Sequence, residues 1–204
     1  MILIKKLVVF GGTFNPPHIG HSTLAKSALN ELDADKIIFM TAGNPPHKDE
    51  SFVIDKNHRY EMVKLLAEED ECFECSDIEI NSQEKSYTAN TLSKLKVIYP
   101  ECEIYFIVGL DSFYSIEKWY EPKRIFDSCI LAVSLRGGLD DKYFDGKSKY
   151  YKEKYGAKIV KINMPPIEVS SSQIRELIKC KKPVNNLVNE KVFKYIVDNN
   201  LYEE

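Results

Sequence analysis

The chain has no apolar run approaching the ~20 residues that a helix needs to cross a bilayer, which argues against a helical membrane protein. It has no internal repeat and no low-complexity tract, so neither a solenoid nor a long disordered tail is expected. Neither sign of charge dominates. With 28 Lys and Arg against 31 Asp and Glu, the net charge of -3 predicts no broad nucleic-acid footprint and leaves room only for a local basic pocket. Cysteines are few, five in all. Cys72 and Cys75 form a C-x-x-C in a stretch that reads as a strand, where side chains three apart point to opposite faces. Cys102, Cys129 and Cys180 stand alone, whereas a structural zinc site wants a second close pair. The cysteines therefore read as small buried hydrophobes rather than as metal or redox groups.

What is present is the composition of an ordinary globular protein. The 204 residues are 44% hydrophobic and 29% charged, enough for a substantial core in one domain spanning 1–204, with a helical C-terminal part from about 170 onward. The two lysines before Leu7 lead into a short apolar run that ends at Gly11, which reads as a first strand and not as a signal peptide. A cytoplasmic location is expected.

Strand-like runs recur at Leu7–Phe10, Lys36–Met40, Phe73–Ile80, Ile104–Val108, Ile130–Ser134 and Lys158–Ile162. Between them lie helical patterns: Leu24, Ala28, Leu29 and Leu32; then Tyr60, Met62, Val63, Leu66 and Ala67; then Leu92, Leu95 and Ile98. This alternation predicts an α/β fold, a doubly wound Rossmann-like parallel sheet with helices on both faces and ligands at the carboxyl ends of the strands. Leu139–Gly156 has four tyrosines, several lysines and little periodicity, and reads as an irregular or partly helical excursion, preferably a solvated connection between strands.

Two stretches carry chemistry. The first, Gly11-Gly12-Thr13-Phe14-Asn15-Pro16-Pro17-His18-Ile19-Gly20-His21, follows the first strand and opens a helix. Glycines let backbone approach a ligand closely, a helix N-terminus offers N–H groups to phosphate, and two histidines stand at that same end. The second, Val169-Ser170-Ser171-Ser172-Gln173-Ile174-Arg175, follows the last strand. Its serines can cap a helix and present hydroxyls to phosphate oxygens, and Arg175 lies one turn in, suited to bidentate contact with an anion. The H-x-x-H spacing of His18 and His21 is a poor zinc pattern, because helical zinc pairs favour four-residue spacing and a third ligand.

The first stretch resembles the nucleotidyltransferase signature G-G-T-F-D-P-x-H-x-G-H, with Asn15 for the usual Asp, and the second resembles I-S-S-T-x-I-R of the same superfamily. The middle of the chain narrows this. Pro45-Pro46-His47-Lys48, His58-Arg59-Tyr60-Glu61-Met62, Ser86-Tyr87-Thr88-Ala89-Asn90-Thr91, Gly109-Leu110-Asp111 and Lys118-Trp119 resemble, in order, the motifs of bacterial nicotinate-mononucleotide adenylyltransferases. Asn90 replaces an Asp of that pattern, and Arg136-Gly137-Gly138 replaces an R-P-G.

The resemblance implies transfer of AMP from ATP to nicotinate mononucleotide, giving deamido-NAD and pyrophosphate, with Mg²⁺ brought by ATP. It implies catalytic roles for His18, His21 and Arg175. ATP would be bound by Gly11, Gly12, Thr13, Phe14, His18, His21, Gly109, Asp111, Arg136, Ser170, Ser171, Ile174 and Arg175. The mononucleotide would be bound by Asn15, His47, Lys48, Tyr87, Thr88 and Trp119. Trp119, the only tryptophan, either stacks on a planar ring or anchors a helix. Neither nucleic acid nor membrane is an expected partner, and the oligomeric state is open. Two rivals stand beside this reading: a pantetheine-phosphate adenylyltransferase, and a nucleotide-binding sensor that no longer turns over.

Overall fold

Apolar runs that alternate with helical patterns leave a strand buried on both faces, and the chain meets that demand with one sheet between two helical layers. The computed structural model describes residues 4–45, 53–136 and 143–203. The strands are β1 (Lys6–Gly12), β2 (Lys36–Thr41), β3 (Phe73–Ser76), β4 (Glu103–Gly109), β5 (Ile130–Arg136) and β6 (Lys158–Met164). Their order is β3-β2-β1-β4-β5-β6 and every adjacent pair is parallel. Strand order reverses between β1 and β4, the place where a doubly wound sheet opens a crevice at its carboxyl edge. The helices are α1 (Ile19–Leu32), α2 (Lys56–Ala67), α3 (Thr88–Ile98), α4 (Leu110–Ser115), α5 (Pro122–Ser128), α6 (Phe144–Tyr155), α7 (Ser171–Lys179) and α8 (Glu190–Asp198). A 3-10 turn at Ile116–Lys118 links α4 to α5.

The strands inside the sheet divide their side chains between two cores. Val8, Phe10, Ile37, Phe39 and Ile107 join a cluster with Leu24, Met62, Leu66, Ile174, Val192 and Ile196, from α1, α2, α7 and α8. Leu7, Val9, Ile38, Met40, Phe106 and Val108 join the other, with Leu92, Leu95, Phe113, Ile125 and Tyr151, from α3 to α6. Neighbouring residues along a strand thus serve opposite faces.

Two sequence expectations are corrected. The third strand stops at Ser76 rather than Ile80, because its pairing with β2 ends at Met40 opposite Ser76, and Ile78–Ile80 form a turn. The supposed solvated connection holds α6, which buries Phe144 and Tyr151 and stacks Phe144 on Phe113 and Tyr155 on Phe126, with ring centroids 5.0 and 4.7 Å apart. Its apolar face is made of aromatic rings set among lysines, and that mixture hides the helical period.

The polar side of α6 grips Glu117. Lys147 and Lys154 donate to its carboxylate at 2.8 Å, and the hydroxyls of Tyr150 and Tyr155 at 2.9 and 3.0 Å. These donors hold Glu117 well below its ordinary 4.5, at about 2. A depressed carboxyl stabilises the fold fully above its unfolded value and loses that contribution as pH falls through the folded one. Glu117→Gln should therefore lower stability by about 1 kcal/mol at pH 7, as a partly exposed ionic network does. The deficit should shrink between pH 4.5 and about 2. Urea titrations of both proteins across that range check it.

Candidate active site

The segment joining β1 to α1 leaves the sheet at the switch point with its carbonyls turned out of regular structure. Three donors from later parts of the chain take up its carbonyls, and a fourth holds the Asn15 side chain. Arg59 of α2, 1% exposed, donates Nη1 to the Thr13 carbonyl at 2.9 Å and Nε to the Ile54 carbonyl at 3.1 Å. Arg175 of α7 donates to the Asn15 carbonyl and the Ser171 hydroxyl to that of Pro16, both at 2.8 Å. The Tyr202 hydroxyl donates to Asn15 Oδ1 at 2.9 Å. Burial pulls Arg59 below the usual arginine value and pushes Tyr202 above the usual phenol value, so that hydroxyl stays a donor. Gly12 is required here: a Cβ would lie 2.8 Å from the Phe14 ring.

His18 occupies the N-cap position of α1 and is buried, while His21, one turn on, is half-buried. Their rings lie 3.8 Å apart between centroids. His21 Nδ1 accepts the His18 backbone N–H at 3.1 Å. An accepting Nδ1 places the proton of the neutral ring on Nε2, leaving His21 a donor at its outer edge. Phe14 and Phe10 flank the ring, with centroids 5.0 and 5.7 Å away.

Beside the glycines lies a cavity of about 630 Å³ whose lining includes Gly11, Gly12, Thr13, Tyr87, Thr88 and Trp119. Opposite the glycine loop, α3 begins with Tyr87 as N-cap, so its first-turn amides stand at the cavity wall. Trp119 lines the cavity and also packs on the second core, edge-on to Phe106 at 6.5 Å.

Gly11, Gly12, Thr13, Tyr87, Thr88 and Trp119 are thus brought to one cavity. His18, His21, Ser171 and Arg175 gather on the adjoining loop and do not line that cavity. Ser170 caps α7, its hydroxyl accepting from Gln173 N at 3.2 Å. Gly109 caps α4 and faces open space, with Asp111 exposed beside it. Phe14 and Ile174 are core residues, at 3% and 0% exposure. Arg136 ends β5, but its side chain, like His47 and Lys48, lies outside the described residues. Asn90 accepts a hydrogen bond from Arg124 of α5, which also pairs with Glu121 at 2.6 Å.

Among the lining residues to which sequence reasoning gave no role are Glu79, Lys118 and Tyr120. Glu79 is 9% exposed, with its carboxyl pushed up by burial. It escaped notice because Asp77-Ile78-Glu79-Ile80 alternates like a strand with an outer acidic face. Tyr120 stacks on Tyr87 at 4.5 Å, and its place next to Trp119 was a usable signal. Among the described residues, no group of three or more His, Cys, Asp or Glu converges to hold a metal ion, and no helix is long and apolar enough to cross a membrane.

The sequence pattern of the cytidylyltransferase-like family matches residues 9–177. The chain is 39% identical over 199 residues to the "Probable nicotinate-nucleotide adenylyltransferase" of Clostridium tetani, covering 98% of this chain and 100% of that protein. It is 40% identical over 197 residues to the protein of the same name from Carboxydothermus hydrogenoformans, covering 97% and 98%. Its fold is similar to Plasmodium falciparum nicotinic acid mononucleotide adenylyltransferase, complexed with APC in one structure and NaAD in another. The TM-score is 0.78 in both cases, at 20% and 21% identity over 98% of each chain.

Arg59→Ala would leave the Thr13 and Ile54 carbonyls short of a donor and open a gap beneath the loop. A loss of about 2–4 kcal/mol is expected, in the range for breaking a buried hydrogen-bonded charge. The denaturant midpoint, at an unchanged m-value, measures it.

Proposed function

We infer that this chain, which belongs to the nicotinate-nucleotide adenylyltransferases and matches the cytidylyltransferase-like family, transfers AMP from ATP to nicotinate mononucleotide, releasing pyrophosphate and forming nicotinate adenine dinucleotide. The observation that carries this reading is the two-sided cavity at the switch point. A glycine loop forms one wall, and a helix N-terminus with Trp119 forms the other.

The reaction asks little of proton chemistry. An anionic phosphate oxygen of the mononucleotide attacks the α-phosphorus of ATP in line. The new P–O bond forms as the bond to the β-phosphate bridge breaks, and the electron pair leaves with pyrophosphate. No base is needed, so the protein's work is positioning and neutralising charge on the transferring phosphoryl group and the leaving group. Donors are the appropriate groups. His21 Nε2–H and His18 serve the α- and β-phosphates, and the serine run with Arg175 serves the departing pyrophosphate. Arg175 already spans Asn15 and Ser172, so gripping pyrophosphate requires it to share or exchange those contacts. Magnesium enters as MgATP, part of the substrate, held by phosphates and water.

At the acceptor end, the first-turn amides of α3 with Tyr87 and Thr88 receive the nicotinate carboxylate, and the Trp119 face receives the ring. Asn15, fastened by Arg175 and Tyr202, shapes the loop between the two substrates, where His47 and Lys48 would meet the acceptor phosphate. Gly109, Asp111 and Arg136 take the adenosine side. All five thiols are free, which suits the reducing cytoplasm.

Pyrophosphate release from MgATP, assayed with nicotinate mononucleotide, nicotinamide mononucleotide and phosphopantetheine in parallel, tests the reading. Fast release with the nicotinate form is expected, and release with phosphopantetheine alone overturns the acceptor. His21→Ala should cut kcat by about 10²–10³, the range for one donor to a developing oxyanion; an unchanged kcat removes the phosphate role. Trp119→Ala should raise the KM for the mononucleotide about tenfold, equivalent to about 1.4 kcal/mol, and leave that for ATP within about twofold. Equal losses for the two substrates refute the stacking assignment.

A further inference from the structure

Three separately delivered segments meet at Glu79. Thr91, one turn inside α3, donates its hydroxyl to Glu79 Oε1 at 2.5 Å. Ser86, just before α3, ties the same helix start to the chain after β2. Its oxygen accepts the backbone N–H groups of Gly43 and Asn44, both at 3.1 Å, and its own N–H donates to the Asn44 carbonyl at 2.9 Å. Gly43 in turn packs so closely on the turn after β3 that a Cβ there would lie 2.1 Å from the Glu79 carbonyl oxygen. Glu79 thus reaches the start of α3 through its side chain and the Gly43 turn through its backbone.

The chemistry of that side chain is specific. The Thr91 hydroxyl is a donor aimed at it, and a carboxylate oxygen answers as acceptor. Burial of such a group is unfavourable unless it is hydrogen-bonded, and this hydroxyl supplies a bond. Glu79 is also not deep in a core. It stands in the cavity wall with Ser86, Tyr87, Thr88 and Thr91.

We propose that Glu79 is a positioning residue for the acceptor: it locks the first turn of α3 against the Gly43–Asn44 turn, so that the Tyr87–Thr88 end of the helix faces the cavity at a fixed distance and angle. This rests on the acceptor reading above. Misplacement by about 1 Å can weaken a site by up to 10²-fold, so the effect belongs in mononucleotide recognition and not in ATP recognition.

Steady-state kinetics of the full chain, varying nicotinate mononucleotide and ATP independently, test it in Glu79→Ala, Glu79→Gln and Thr91→Val. Glu79→Ala should raise the mononucleotide KM about tenfold or more, with the ATP KM within about twofold. Glu79→Gln keeps an oxygen that can accept from the Thr91 hydroxyl, and should recover most of the loss. Thr91→Val should show the same split at smaller size. An unchanged mononucleotide KM in folded Glu79→Ala, or an equal rise for both substrates, overturns the proposal. So does a glutamine variant as impaired as the alanine one, since charge and not geometry would then be the cause. If circular dichroism shows Glu79→Ala unfolded, Thr91→Val decides alone, and its failure to show the split is the overturning result. Wild-type turnover of nicotinate mononucleotide is the separate control, whose absence removes the acceptor reading and this proposal with it.

Discussion

The carbonyls of the Thr13–Pro16 segment set the terms for the rest of the molecule. They emerge where β1 ends, at the one point of the sheet where flanking crossovers diverge, and no strand or helix takes them up. A guanidinium from α2, another from α7 and a serine do so instead, and a tyrosine holds the Asn15 side chain. Hydrogen bonds from charged donors contribute about 1.5–3 kcal/mol each, so two arginines are enough to select one loop conformation from many. The loop in turn sets the two imidazoles at the mouth of α1. Residues separated by as many as 187 positions therefore converge on one short loop, Tyr202 on the Asn15 side chain and the others on backbone carbonyls, and the C-terminal helices belong to the site as much as to the core.

This clamp also explains a division of labour among the cations. Arg59 is fully buried and committed to structure. Arg175 is half-exposed, with one edge on the Asn15 carbonyl and the other on the Ser172 hydroxyl. Only the second has solvent on its outer side, and it can answer to an incoming anion while remaining tied to the loop. A ligand at Arg175 and the conformation of the loop are thereby linked through one planar group.

How much of this was legible in the sequence depended on whether the cause was local. The glycine loop and the capping of α7 by its serine run follow from the conformational needs of a few adjacent residues, and the structure has the cap at Ser170. Six strands and their parallel pairing follow from continuous apolar runs. Glu79 was not legible, because an acidic residue alternating with Ile78 and Ile80 has the pattern of a solvent-facing strand position. Its burial arises only when β3 stops at the edge of the sheet and the chain folds back over Gly43. The α6 helix was hidden for another reason. Tyrosines supply both its buried rings and its outer hydroxyls, so a count of apolar residues undervalues it.

Those two illegible elements bear on the same cavity from opposite sides. Glu79 steadies the helix N-terminus on one wall. The donors of α6 hold Glu117, two residues before Trp119, and so fix the 3-10 turn that presents the indole on the other. An acceptor composed of a planar ring and a carboxylate needs both a face and an edge at a set separation. Neither wall can supply that from its own short segment, since a helix N-cap and a three-residue turn are free to tilt. Each is tied to a carboxylate that protein donors engage, Glu79 through Thr91 and Glu117 through the lysines and tyrosines of α6. These two carboxylates thus act on the shape of the cavity through the elements they hold.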